Sequence, residues 1–282
     1  MYYSTRMKIV ALSLIAAGML FPQNAKAQEQ MTPARDLLRR AQTAVSGETR
    51  INDVQVSGTV RRIAGSTDET GRAELKSLAT GETQADLTFP SGPMHVVRAQ
   101  GPAGPVGERS GFDGKVSGIP FGDLLVDGAW FSPALVLARA GAGRDGEAVQ
   151  ISSREGAGTR RLHLRFSRQP LTGKAAARLP EAILKLLQEA SQFDLYLDST
   201  TLLPVEMAFE SHADGNLREG IAIRVLYSDY RAVDGVQVPF RLEKLVNNSL
   251  AFDFQLQTTN FNIGLTAASF VVSQEPLRRL PQ

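Results

Sequence analysis

Cysteine is absent from this 282-residue chain. Without a thiol, the chain has no disulfide cross-links, no thiol nucleophile and no cysteine-based metal site. It also has no cysteine that could carry a lipid anchor. The three histidines, His95, His163 and His212, stand far apart and show no metal-ligand spacing. We therefore predict a protein that needs neither a metal nor another cofactor.

Catalytic signatures are also lacking. No G-x-S-x-G nucleophile motif occurs, and the nearest text, GERSG at 107–111, has the wrong spacing. Asp194 and Asp198 share one face of a predicted strand, but their alternation with apolar residues is typical of a solvated face rather than of an acid/base pair. We predict that the chain is not an enzyme, while a site assembled from distant residues stays open as an alternative.

Long apolar runs are scarce, and one of them stands near the N-terminus. Arg6 and Lys8 precede the run at 9–20, and Ala25-Lys26-Ala27 follows it with the small-x-small pattern of a cleavage site. This order is typical of a secretory signal peptide, and the run is short for a membrane-spanning helix. We predict a signal peptide at residues 1–27 and a periplasmic mature chain, residues 28–282.

Removal of the signal peptide changes the charge. The whole chain has 31 Lys+Arg against 29 Asp+Glu, and residues 1–27 hold three basic residues and no acidic residue. The mature chain therefore has 28 basic and 29 acidic residues, a net charge of −1. Such a chain gives no electrostatic reason to expect nucleic acid or an anionic membrane as a partner.

Three helices are predicted from start and stop signals. Thr32-Pro33 and Ser132-Pro133 each place a capping hydroxyl before a proline, which is a common helix start. Gly47 ends the first helix. In the third helical segment, Pro180 marks the start of the regular helix.

About ten strands are predicted from the alternation of apolar and polar residues. The alternation extends from residue 51 to 100 and over most of 149–257, and the segment GPAGPVG at 101–107 is predicted to be a loop. In the hairpin 227–242, Asp234-Gly235 forms the turn, and Pro239 predicts an edge position or a bulge. The second arm of the hairpin turns four apolar side chains to one face: Val236, Val238, Phe240 and Leu242.

These elements predict one α+β domain, residues 28–282, built on an antiparallel sheet. Three helices cannot cover ten strands laid flat. The sheet must therefore curl into an unclosed β-barrel, with the helices across its open side, and such a shape tends to enclose an apolar cavity.

Several segments, in this order, resemble the periplasmic outer-membrane lipoprotein carriers, the LolA-like superfamily. The resemblance spans about residues 33–272. The first helix precedes a glycine-containing strand, and the remaining motifs follow along the chain: VQVSGTVRRI at 54–63, ADLTFPSGPMHVV at 85–97, GFDGKV at 111–116, FSPALVLAR at 131–139, FDLYLDSTTLLPVEM at 193–207, DYRAVDGVQVPFRL at 229–242 and ASFVV at 268–272.

The resemblance implies an unclosed antiparallel barrel, covered by helices, whose apolar cavity accepts acyl chains. The sequence departs from the superfamily's pattern in three places. Phe89-Pro90 stands where an Arg-Pro pair often latches the lid, Val116-Ser117-Gly118 replaces the usual aromatic after Asp-Gly-Lys, and 170–191 is an added helical segment.

We predict that the protein binds a lipid or an acylated protein in this cavity. The alternative is an envelope sensor or protein-interaction module of the same fold with a filled core. Nine residues are candidates for the ligand-binding wall, each with ordinary core packing as the competing interpretation: Trp130, Phe131, Leu135, Phe193, Leu195, Val238, Phe240, Phe252 and Phe254.

Overall fold

The structure is a computed structural model that describes residues 23–101, 104–126, 128–141, 148–156, 159–167, 179–212 and 216–273, and side chains from residue 34 onward except 148–160. The predicted signal peptide therefore lies outside the described residues, apart from 23–27. So does most of the first half of the added segment 170–191.

The described residues form one 13-stranded sheet in which every neighbouring pair is antiparallel. The strand order is β6-β5-β4-β3-β2-β1-β13-β12-β11-β10-β9-β8-β7, so two meanders join where the first strand pairs with the last. The bounds are β1 Asp53–Ala64, β2 Thr67–Leu78, β3 Thr83–Phe89, β4 Gly92–Gly101, β5 Gly104–Ser110, β6 Val116–Gly118, β7 Ala148–Gly156, β8 Thr159–Phe166, β9 Phe193–Asp198, β10 Pro204–Ser211, β11 Ile221–Val233, β12 Val236–Val246 and β13 Ser249–Phe261.

Four α-helices accompany the sheet in the described part of the chain: α1 Gln23–Ser46, α2 Phe121–Leu124, α3 Pro133–Gly141 and α4 Glu181–Ala190. A 3-10 turn, Ala267–Ser269, follows β13. None of the described helices has the length and apolar character needed to cross a membrane. The predicted α+β class is confirmed, and the sheet has three more strands than the ten predicted.

The helix boundaries agree with the sequence signals except at the first start. Gly47 adopts a φ of 56° and its N–H donates to the Thr43 carbonyl at 2.9 Å, which ends α1 as predicted. Helices α3 and α4 begin directly after Ser132 and Pro180, also as predicted. The predicted start of α1 at Thr32-Pro33 is wrong, because the helix continues back through alanine, lysine, glutamine and glutamate, which favour helix strongly enough to include the proline.

The predicted loop at 101–107 is also wrong. Residues 104–107 belong to β5, which pairs with β4 so that Gly107 lies opposite Arg98. A Cβ at Gly107 would lie 2.8 Å from the Val97 carbonyl oxygen. Glycine at this position therefore allows a close approach between two strands. Because glycine has no side chain, it also interrupts the alternation of apolar and polar residues from which a strand is predicted.

The 227–242 hairpin has the predicted geometry. Val233 pairs with Val236, and the two turn residues, Asp234 and Gly235, have φ angles of 50° and 81°, as a type I′ turn requires. The β12 pairs with β13 run from Arg241 to Val246, so the segment around Pro239 pairs with β11 alone. The predicted edge position of this proline is confirmed locally, within a strand that is otherwise internal.

Helices α1 and α3 cover part of the inner face of the sheet. Helix α1 packs its apolar stripe, which includes Leu37 and Leu38, against the core that the inner strand residues form. The Gln42 amide of α1 donates to the Leu137 carbonyl of α3 at 2.7 Å. The four apolar side chains of the second hairpin arm are buried in the same core, as predicted. The core is continuous from α1 and α3 to both meanders.

Candidate functional site

A cavity of about 260 Å³ lies inside the curled sheet. Its walls come from β3, β4 and β5 on one side and from β10–β13 on the other, which is possible because the sheet curls and brings the two meanders face to face. Residues 119–131 complete it. The described lining residues are Thr83, Gln84, Ala85, Leu87, Met94, Val96, Arg98, Arg109, Ile119, Asp123, Val126, Gly128, Trp130, Phe131, Phe209, Ser211, Ile223, Lys244, Phe252 and Phe254.

The nine candidate wall residues fall into two groups. Trp130, Phe131, Phe252 and Phe254 line the cavity, and their part in ligand binding stays a prediction. The other five do not line this cavity. Val238 borders a separate crevice of about 10 Å³ beside Pro239, and the last four are buried in the continuous core: Leu135, Phe193, Leu195 and Phe240.

Three aromatic rings form one wall of the cavity. The Trp130 ring centroid lies 5.3 Å from that of Phe254, and the Phe252 and Phe254 centroids are 5.9 Å apart. The Tyr227 hydroxyl donates to the Trp130 carbonyl at 2.6 Å, which fixes the tryptophan to β11. These contacts make a rigid apolar surface that suits hydrocarbon.

We call residues 119–126 and 128–131 the cover segment, because they close the cavity between the two meanders. Its α2 carboxylate, Asp123, accepts a hydrogen bond of 2.5 Å from the Ser211 hydroxyl of β10. The Arg98 guanidinium of β4 donates to the Val126 carbonyl at 3.0 Å. The cover segment is therefore held by polar contacts to both sides of the cavity.

At Phe89-Pro90, where the LolA-like superfamily often has an Arg-Pro pair, the structure has an aromatic contact. The Phe89 ring meets the Phe112 ring edge-on, with centroids 6.2 Å apart, in the loop before β6. An arginine, Arg62, lies over the Phe112 ring at 4.5 Å. Phe89 itself is buried in the core and does not line the cavity.

The Lys244 side chain lies against the aromatic wall of the cavity. The Lys244 ammonium lies 4.7 Å from the centroid of the Trp130 ring, and Lys244 stands opposite Phe252 in the β12–β13 register. The pKa of this amine is lowered from 10.5 to about 8, chiefly by burial and also by the positive charge of Arg98, while the Asp123 carboxylate opposes the shift. The amine is therefore still mainly protonated at pH 7.

The inward position of Lys244 could have been predicted from the two-residue periodicity of β12. Lys244 follows Val238, Phe240 and Leu242 at the same two-residue spacing, so it belongs to the inward face of β12. Arg98 likewise continues the inward positions of Met94 and Val96 on β4. Neither cation belongs to a histidine, cysteine or carboxylate motif, so neither was among the predicted site residues.

In the part of the chain that the structure describes, no group of three or more histidine, cysteine, aspartate or glutamate side chains is placed to hold a metal ion. The site that the structure does form is an apolar cavity with a few polar groups, which is the usual composition of a small-molecule site.

Solved structures of the same fold exist at low sequence identity. A domain from Vibrio parahaemolyticus, described as an outer membrane lipoprotein-sorting protein domain, is 11% identical, with 86% of this chain and 97% of that chain covered and a TM-score of 0.50. A DUF1329 family protein from Desulfovibrio piger is 12% identical, with 86% and 98% covered and a TM-score of 0.50. A LolA superfamily protein from Nitrosomonas europaea is 10% identical, with 85% and 97% covered and a TM-score of 0.49.

No protein-family profile matches the chain, and no curated protein matches its sequence. The structural likeness covers nearly the whole length of the solved chains. The protein therefore has a LolA-like fold, an unclosed antiparallel sheet with helices on its inner side. The resemblance predicted from the sequence motifs is confirmed for the fold, and the low identity makes the chain a divergent example of it.

Proposed function

We propose that the protein is a periplasmic carrier that binds a lipid or an acylated ligand in the cavity between the two meanders. The observation that carries this proposal is the cavity itself, because a sensor or interaction module with a filled core would not need it. The aromatic wall around Trp130 supplies the apolar surface, and the LolA-like fold agrees with this role.

The cavity volume limits how much hydrocarbon the protein holds in this form. Because a water molecule takes about 30 Å³ of liquid volume, 260 Å³ has room for about nine groups of that size. With roughly 0.8 kcal/mol for each buried methylene, a chain segment of this length gains about 7 kcal/mol before the loss of translational freedom is counted. A chain segment of about nine groups fits inside the cavity, and the remainder of a longer chain extends beyond it.

The single tryptophan of the chain gives a direct binding assay. Because Trp130 lines the cavity, a dodecyl alcohol with a terminal bromine should quench its fluorescence on entering, and the unbrominated alcohol should compete. We expect saturable quenching in the wild type. An absence of saturable quenching would refute the carrier proposal and favour the interaction module.

A cavity-filling variant locates the site. Ala85 lines the cavity, so Ala85→Phe should abolish or strongly weaken quenching while the protein stays folded. Ala64, at the exposed end of β1, gives the matched control Ala64→Phe, which should bind as the wild type does. Equal binding by both variants would place the ligand elsewhere.

Export belongs to the same proposal. Its support is the N-terminal pattern of basic residues, an apolar run and Ala25-Lys26-Ala27. The intact mass of protein isolated from the periplasm should correspond to residues 28–282. Recovery of the full-length chain from the cytoplasm would refute the assignment.

A further inference from the structure

The position of Lys244 is unusual for a lysine. It lies on the inward face of β12, next in the series after Val238, Phe240 and Leu242, and it borders the cavity instead of the outer surface. An ammonium group loses hydration when it is placed against an apolar wall, and this loss is unfavourable unless an opposite charge or a hydrogen-bond acceptor replaces the water.

The protein itself supplies only part of that replacement. The face of the Trp130 ring lies under the ammonium at 4.7 Å, and a cation–π contact recovers part of the lost hydration. Among the residues that the structure describes, no carboxylate forms an ion pair with Lys244. The Asp123 carboxylate, which accepts the hydrogen bond from Ser211, is not within ion-pair distance of the amine, although its charge partly offsets the lost hydration.

Two further cations on the described lining strengthen the positive character of this wall. Arg98 and Arg109 line the cavity from β4 and β5, and among the described lining residues Asp123 of α2 is the one acidic side chain. The residues opposite Lys244 on the two neighbouring strands, Val225 and Phe252, are uncharged. A ligand that brings a negative charge to this place would complete the site.

We propose that the ligand is an anionic amphiphile whose carboxylate or phosphate contacts the Lys244 ammonium while its hydrocarbon chain lies along Trp130, Phe252 and Phe254. This inference rests on the carrier function proposed above and narrows it to a chemical class. Lys244 would bind the anionic group of the ligand, and the aromatic wall would bind its hydrocarbon chain. A single amphiphile carries both groups.

A structural interpretation competes with this proposal. Lysine often lays its methylene stem on apolar surface and extends its charge toward water, with no ligand involved. The two interpretations predict different preferences between anionic and neutral amphiphiles. A lysine that only extends to water would leave the protein indifferent to the charge of an amphiphile.

The test compares two ligands that differ in one group. Dodecanoic acid and dodecyl alcohol, each with a terminal bromine, are titrated at pH 7 with quenching of Trp130 as the readout. Because a hydrogen bond to a charged group contributes roughly 1.5–3 kcal/mol, we expect the acid to bind wild type about 10- to 100-fold more tightly than it binds Lys244→Met. The alcohol should bind the two proteins within about threefold.

Further variants separate charge from packing. Lys244→Arg keeps the charge and should retain the preference for the acid. Lys185, on α4, has a side chain that is 76% exposed, and Lys185→Met is the matched control that should leave both affinities unchanged. Equal affinity of wild type for acid and alcohol, unchanged in Lys244→Met, would refute the anionic class while leaving the carrier function intact. Failure of both ligands to bind would refute the carrier function.

The same assay distinguishes an anionic amphiphile from a free anion as the ligand of Lys244. Dodecyl phosphate should displace the brominated acid, and inorganic phosphate at the same concentration should not, because it has no chain to occupy the aromatic wall. Equal displacement by inorganic phosphate would overturn the amphiphile and make Lys244 a site for a free anion.

Discussion

Replacing Lys244 with methionine should make the ligand-free protein more stable at neutral pH. The pKa of the amine is lowered from 10.5 to about 8 in the folded protein. At about 1.36 kcal/mol for each tenfold change in acidity, this difference corresponds to a folding penalty of at most about 3 kcal/mol. Methionine has a similar length, fills the same space and carries no charge to dehydrate.

Two effects reduce the expected gain. Lys244 keeps part of its surface in contact with solvent through the cavity, and water there weakens the penalty. The variant also loses the cation–π contact with Trp130, worth roughly 0.5–2 kcal/mol, although a thioether on the ring recovers some of it. The net stabilisation should be about 1–2 kcal/mol, which raises the melting temperature by roughly 2–4 °C in a chain of this size.

The pH dependence of this gain identifies its cause. Since the folded pKa of Lys244 lies below its unfolded value, the unfolded chain binds more protons between about pH 8 and 10.5, and wild-type stability relative to the variant rises there. Below about pH 8 Lys244 is protonated in both the folded and the unfolded chain, so the full free-energy cost of burying its charge is present. Melting temperatures of wild type, Lys244→Met and the exposed control Lys185→Met should be compared at pH 7 and pH 10.5. A variant that is less stable at pH 7, or a gain that is the same at both pH values, would refute the reasoning.

Two further predictions follow from the same structure. Binding of dodecanoic acid to wild type should weaken about tenfold from pH 7 to pH 9, because the protonated fraction of Lys244 falls from roughly nine-tenths to one-tenth; a flat profile would show that the charge plays no part, and Lys244→Met should be flat. Gly58→Ala should destabilise the protein by at least about 2 kcal/mol in urea unfolding, because a Cβ at Gly58 would lie 2.1 Å from the Gln255 carbonyl oxygen of β13, at the shift in the β1–β13 register. Gly111, where a Cβ would make only an ordinary contact of 3.8 Å with the Asp113 carboxylate, gives the control Gly111→Ala, and equal effects of the two changes would contradict the close approach.

The strands of the C-terminal half were predictable because one face of each is buried. Strand β9 has buried Phe193, Leu195 and Leu197 in strict alternation with half-buried positions, and the hairpin arm after Gly235 has the same pattern except at the buried Pro239. Period-two burial leaves a signal in the sequence whenever the outer face is polar. The curl of the sheet was predictable for a related reason, since few helices were available to cover many apolar strands.

Other features depend on contacts that local sequence does not record. The pairing of β1 with β13 joins residues about 200 positions apart, as in Val54 opposite Phe261, and it decides where the two meanders meet. The sequence also does not predict which inward residues line the cavity. Phe193 and Phe254 have the same inward orientation, yet Phe193 stacks on Phe166 in the core and Phe254 borders the cavity. Which inward residues meet a helix and which meet a void is set by the placement of α1, α3 and the cover segment.

The same free energy links the stability of the protein to its ligand preference at Lys244. The dehydration that lowers the amine's pKa destabilises the empty protein, and an anion that restores the amine's ordinary pKa returns that free energy as affinity. A neutral amphiphile gains the apolar contacts with Trp130 but leaves the penalty in place. An inward lysine at this position therefore favours anionic over neutral ligands by up to the amount that it costs the unliganded fold. Lys244→Met should show both sides of this balance at once, with a higher melting temperature and a lost preference for the acid.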